Sequence, residues 1–193
     1  MSEFEDMEED ALSELVEESE GNADIKTLVG ICTSGCSKED FETVMEEGLD
    51  ALLRLSSGLD MQKLNAMQQA SVCDMIPMAL TKYQEEASII GVLFGLIRNL
   101  SKPVEGSNDD MRSSLGQNAG VMIACMNEHA EGEATLQEMA CLAIEALSTG
   151  HEANIEQFKS VDAPKCLNDV SRPAITNERN MTYPDKALKA MNL

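Results

Sequence analysis

The chain has 193 residues, enough for a sizeable buried core, and its 35 acids against 14 bases leave a formal charge of −21. Such a surface repels nucleic-acid phosphate and anionic membrane, and it attracts basic partners. Aromatic residues are 3% with no tryptophan, which argues against stacking on nucleobases.

In chain order, residues 1–20 hold ten acids and no base, which excludes a secretory apolar segment there. Phe4, Met7, Ala11, Leu12 and Leu15 follow helical spacing, and Ser2 with Glu5 suits a capping box. Two arrangements compete for this stretch: a packed amphipathic cap, or a disordered acidic arm that folds on a partner. The pattern favours a mobile start and then a helix from about Asp10 to Glu20, closed by Gly21. Ile25 to Cys32 reads as a short apolar helix broken around Gly35. Ser37 reads as the N-cap of a helix from Glu39 to Leu55, with Phe41, Val44, Met45, Leu49 and Leu52 on one side.

A second unit opens at Asp60. Met61, Leu64 and Met67 mark its first helix, and Ile76-Pro77 marks a break, because proline fits the first turn of a new helix. Glu85 begins a long apolar helix ending at Ser101, with Gly91 and Gly95 one turn apart, a spacing that suits close helix packing. A loop over 102–109 contains Pro103, Gly106, Ser107 and Asn108. Helices then follow from Asp110, from Val121 to about Glu128 and from Glu133 to Ser148, with breaks at Ala119-Gly120 and Gly132. The last unit has a helix over Glu152 to Val161 and one from Lys165 to about Ser171, stopped by Pro173. A final helix starts at Pro184 and ends in Leu193.

One tail recurs along the chain. It reads Ala-Leu-Leu-Arg-Leu-Ser at 51–56, Leu-Ile-Arg-Asn-Leu-Ser at 96–101, Ala-Ile-Glu-Ala-Leu-Ser at 143–148 and Ala-Leu-Lys-Ala-Met-Asn at 187–192. Leu55, Leu100, Leu147 and Met191 are 45, 47 and 44 residues apart. A period near 45 is expected of stacked helical units, each too small to bury its own apolar face. The expected bounds are 22–58, 59–105, 106–149 and 150–193, after an acidic segment over 1–21.

Within these units, Gly150-His-Glu-Ala-Asn-Ile-Glu-Gln-Phe-Lys-Ser-Val-Asp-Ala-Pro resembles the start of an armadillo repeat. Asp74-Met-Ile-Pro-Met-Ala-Leu and Asn118-Ala-Gly-Val-Met-Ile-Ala resemble the same junction, and Leu-Ile-Arg-Asn-Leu-Ser at 96–101 resembles the family's third-helix ending. The resemblance covers about residues 22–193 and is strongest over 60–170; HEAT repeats are the near alternative. It implies an all-α, right-handed superhelical solenoid of about three to four repeats, with third helices lining a concave groove for extended peptides or partner helices. The family's groove asparagine maps onto Asn99 alone; Arg54, Ala146 and Ala190 stand at the matching places. No tryptophan partners it, so a ladder for basic import signals is not implied. Asn99 has a local reading beside this one, as a helix-terminal residue bonding its own backbone.

Chemistry for catalysis is not marked. His129 and His151 are expected as solvated loop histidines. Cys32 and Cys36 have the wrong spacing for a zinc knuckle, while Cys73, Cys125 and Cys141 fall in apolar helical stripes, where a reduced cysteine acts as a small hydrophobe. The glycines are scattered and form no phosphate loop, and the acidic runs lack a calcium-loop pattern. No run is long and apolar enough to span a bilayer, and the chain is expected in the cytoplasm or nucleus. The 13 methionines suit adaptable core filling or a plastic binding surface.

The expectation is a non-enzymatic scaffold with no cofactor, no metal and no catalytic residue, binding a protein partner, with a basic one as a candidate, in its groove. Arg54, Arg98, Asn99, Glu145 and Lys189 are its expected exposed ladder. The alternative is an acidic adaptor or chaperone-like regulator that captures a basic protein through residues 1–20. Neither nucleic acid nor membrane is an expected partner. The apolar C-terminal unit lacks a polar cap, which is expected of a short form or fragment of a longer array or of an end covered by self-association.

Overall fold

The computed structural model describes residue 4 and residues 7–58, 61–102 and 108–193. The expected capping pair Ser2 and Glu5, the expected helix start at Asp60, and Pro103, Gly106 and Ser107 lie outside them. The described residues are all helix, turn and loop, with no strand.

Helix α1 spans Glu9–Gly21, α2 Ile25–Gly35 and α3 Glu42–Ser56. Next come α4 (Met61–Gln69), α5 (Val72–Lys82) and α6 (Ala87–Ser101), then α7 (Asp109–Gly116), α8 (Ala119–Glu128) and α9 (Ala134–Ser148). The chain closes with α10 (Glu152–Ser160), α11 (Ala163–Cys166), a π-helical turn (Leu167–Ser171), α12 (Arg172–Ala174) and α13 (Tyr183–Ala190).

The helices carrying the recurring tail pack on one another in chain order. Helix α3 packs on α6, α6 on α9 and α9 on α13, while α1 covers the other side of α3. A second row runs behind them, with α2 against α5, α5 against α8 and α8 against α11. Helix α6 sits mid-row and is the most apolar; Ile90, Leu93, Phe94, Leu96, Ile97 and Leu100 are all fully buried. Burial of each such side chain contributes about 1.5–3 kcal/mol relative to exposure. The closing serines Ser56, Ser101 and Ser148 are also buried, so the first three tails end against protein, whereas the fourth closes on the exposed Asn192.

Helix α1 is part of this body. Leu12 and Val16 are buried, and its acids Glu9, Asp10, Glu14, Glu17 and Glu18 face outward. Asp24 caps α2, its carboxylate accepting from the Thr27 backbone N–H at 3.1 Å and the Thr27 hydroxyl at 2.7 Å.

Several boundaries differ from the sequence pattern for a common reason: the chain turns at residues with positive φ. Ala23, Asp40, Ser71 and Asp162 hold φ between 53° and 61° and each separates two helices. Asp40 therefore delays α3 to Glu42, and Ser37 is not its cap. The second unit breaks at Ser71, not at Pro77, which lies within α5. Pro77 has no N–H to give the Cys73 carbonyl, a cost that surrounding burial of Met75, Ile76, Ala79 and Leu80 offsets. The true junctions are thus Ser71-Val72, Asn118-Ala119 and Asp162-Ala163, and Pro77 is not equivalent to Pro164. Pro173, expected as a stop, is itself helical in α12, and the last helix ends at Ala190, before the exposed Leu193.

Candidate functional site

Three depressions follow one another along the α3–α6–α9–α13 row. The first, of about 470 Å³, lies where α3, α6 and α9 meet, under Leu53, Ala87, Gly91, Val92, Leu136 and Met139, with Glu133 at its rim. The second, of about 230 Å³, is lined by Arg98, Lys102, Leu142, Glu145, Ala146 and Thr149. The third, of about 440 Å³, lies between α9 and α13 and is lined by Glu145, Thr149, Gly150, Lys186, Lys189 and Asn192. Glu145 and Thr149 belong to both of the last two, so these adjoin.

The expected ladder divides into two groups. Arg98, Glu145 and Lys189 do reach the depressions. Asn99 does not: it is 7% exposed, and its Nδ2 donates to Ser56 Oγ at 3.0 Å on the preceding helix. Its Oδ1 accepts from Lys102 Nζ at 3.0 Å. The amide therefore joins two neighbouring helices, and an exposed-rung role is corrected by its burial. Arg54 is exposed but occupied. Its guanidinium makes a two-pronged pair with Glu20 at the end of α1, Nη2 to Oε2 at 2.7 Å. That contact holds the Glu20 carboxyl below its ordinary range and raises Arg54.

Charge is distributed unevenly along this row. Arg98, Lys102 and Lys189 lie at the C-terminal ends of α6 and α13, where cations also suit the helix dipole, and Lys186 lies one turn before Lys189 on α13. Burial and the neighbouring Arg98 lower the Lys102 pKa. The first depression has no base in its lining. Glu133 lines it, and Glu85 and Glu86 immediately precede α6.

The two glycines of α6 differ. A Cβ on Gly95 would sit 3.2 Å from Leu53 Cδ1, so Gly95 serves close helix packing as its spacing suggested. A Cβ on Gly91 would meet nothing within 4 Å. Gly91 therefore opens onto the first depression and brings no helices together. The sequence carried one signal of this, a glycine in the interior of an otherwise strong apolar helix.

Neither histidine is a solvated loop residue. The His129 ring donates from Nε2 to the Gln84 carbonyl at 2.9 Å. His151 Nδ1 accepts from the Asn154 N–H at 3.3 Å and caps α10. Its Nε2 then carries the proton, which it donates to Ser113 Oγ at 3.0 Å. Burial raises all six thiols: Cys36, Cys73, Cys125 and Cys166 to about 11, Cys141 to about 12 and Cys32 further. None is a thiolate at neutral pH. Among the described residues no three His, Cys, Asp or Glu side chains gather as metal ligands, and no helix is long and apolar enough to cross a membrane. In comparisons with known proteins, no family model and no curated sequence matches the chain.

Proposed function

We propose that the chain is a non-enzymatic interaction scaffold, a short right-handed solenoid of about three to four armadillo-type repeats, which holds a partner peptide or helix across its third helices. The observation that carries this reading is the series of depressions along α3, α6, α9 and α13, each bridging successive helices of one row. A surface assembled from matching positions of consecutive units suits a ligand that extends along the row. Arg98, Glu145 and Lys189 are the polar contacts of that surface, and the charged, half-apolar lining suits a polypeptide. The six free thiols suit a reducing compartment, cytoplasmic or nuclear.

A second reading rests on the outward acids of α1, which offer a basic protein a charged face without a groove. Deleting residues 1–20 cannot separate the two, because it strips Leu12 and Val16 from the core. Surface changes can. A partner isolated by affinity capture is titrated against Glu145→Lys with Lys189→Glu, and against Glu14→Lys with Glu17→Lys and Glu18→Lys. Loss of affinity in the first pair alone supports the groove. Loss in the α1 set alone, with strong salt sensitivity, overturns it in favour of the acidic helix.

A further inference from the structure

We infer that the depression at Gly91 is an anchor subsite for one large aliphatic side chain of a lysine- or arginine-rich partner segment. This deepens the groove reading above and rests on it.

Three observations converge. Glycine in a helix interior is unfavourable relative to alanine, because it adds backbone freedom to the unfolded chain and buries no side chain. At Gly95 close contact with Leu53 accounts for that choice, whereas at Gly91 nothing within the chain does. Any side chain there would enter the space enclosed by Leu53, Val92, Leu136 and Met139. The second observation is the lining itself: an apolar floor between three helices, open to solvent, where an incoming aliphatic group would cover apolar surface.

The third observation fixes the occupant's charge. Glu133 lines the depression, Glu85 and Glu86 immediately precede Ala87, which also lines it, none of the three forms an ion pair among the described residues, and no base lines it. A basic flank beside the aliphatic anchor meets these carboxylates and is drawn in by the field of a chain at −21. A second copy would bring the same excess of acid to this face, so self-docking is opposed by like charge. Nucleic acid is opposed for the same reason.

The test uses the intact chain and a dye-labelled synthetic helical peptide with leucines on one face and lysines on the other. Two control peptides replace the leucines with alanine or the lysines with glutamate. Wild-type protein is expected to bind the leucine–lysine peptide at least tenfold tighter than either control. Gly91→Leu fills the subsite without altering charge; it is expected to weaken that peptide at least tenfold while the thermal midpoint does not fall. Gly91→Ala, a smaller plug, is expected to weaken it by a smaller factor and keeps the test available should the leucine variant misfold. Unchanged affinity in both variants, or no binding by wild type, overturns the subsite. A wild-type dimer in sedimentation that Gly91→Leu dissociates also overturns it, because the occupant is then a second copy. Glu145→Lys, in the neighbouring depressions, separates the two levels. Loss there with none at Gly91 ends the subsite and leaves the groove; loss at neither ends both.

Discussion

The junction of α7, α9 and α10 and the open face of α6 are built from similar materials and treated in opposite ways. At the junction, most buried polar groups are met, although Arg112 Nε and Ser148 Oγ have no hydrogen-bond partner among the described residues. Arg112 is 5% exposed, and its Nη2 donates to the carbonyls of Ala146, Leu147 and Thr149 at the end of α9. It does for that helix terminus what solvent would otherwise do. Asn154 Nδ2 donates to the carbonyls of Arg112 and Leu147, both at 3.0 Å. Gly116 is there to admit Asn154, since a Cβ would lie 2.0 Å from its Oδ1. On the face of α6, Gly91 admits nothing, and apolar atoms are left uncovered around it. Where the chain needs a glycine for its own packing, its structure shows the reason. At Gly91 no contact within the chain accounts for the glycine, and the subsite inferred above supplies a reason for it.

The sharpest test of the first half is Arg112→Met, which removes the donor from three buried or half-buried carbonyls. Destabilisation of about 3 kcal/mol in urea unfolding is expected, the order of cost for leaving buried acceptors unmet. A change below about 1 kcal/mol would mean that water reaches the end of α9 and that the junction is not sealed. Gly116→Ala comes next. It must displace Asn154 from two carbonyls, and a net loss of about 2 kcal/mol is expected despite alanine's better helix propensity.

Gly91→Ala is the mirror experiment, with the opposite sign. With no neighbour to strike, it is expected to stabilise the chain by about 1 kcal/mol, read as a higher urea midpoint at constant slope. A loss there would show a hidden packing role and erase the contrast with Gly116.

The smallest effect belongs to the solvent-exposed Glu20–Arg54 pair, about 0.5 kcal/mol at low salt, and less at 1 M salt. Glu20 is depressed in the folded chain by Arg54, and Asp24 by its bonds to Thr27. Both groups therefore stabilise the fold above the ordinary carboxylate range. As pH falls from about 4.5 toward their lower folded values, the unfolded chain takes up protons first and this contribution is lost. Glu20→Gln should flatten that part of a pH-stability curve slightly, and Asp24→Asn should flatten the part at lower pH.

The helical character and most helix locations were legible, because apolar spacing of three and four is a local property. The tail ending in Leu-Ser also told the truth about position: Ser56, Ser101 and Ser148 close three helices of one packed row. Pro77 misled because proline's preference for a first turn is weaker than the burial available to α5, while Ser71 could take the left-handed turn unannounced. Register alone placed Arg98, Glu145 and Lys189 on one row, and in the structure they line its depressions. Arg54 and Asn99 were misplaced as free rungs because their partners, Glu20 and Ser56, lie 34 and 43 residues away. The Gly91 depression needs Leu53 and Met139 brought together from different helices, which no spacing rule supplies.

Methionine methyl groups offer the most direct view of whether the α6 face is the one that binds. Met139 lines the depression at Gly91, whereas Met78 and Met181 are exposed elsewhere, at 42% and 52%. With methyl-labelled methionine, titration of the leucine–lysine peptide into the intact chain is expected to shift the Met139 resonance first and most, leaving Met78 and Met181 in place. Shifts at Met78 or Met181 with Met139 unmoved would place the contact on another surface and contradict the open-face reading.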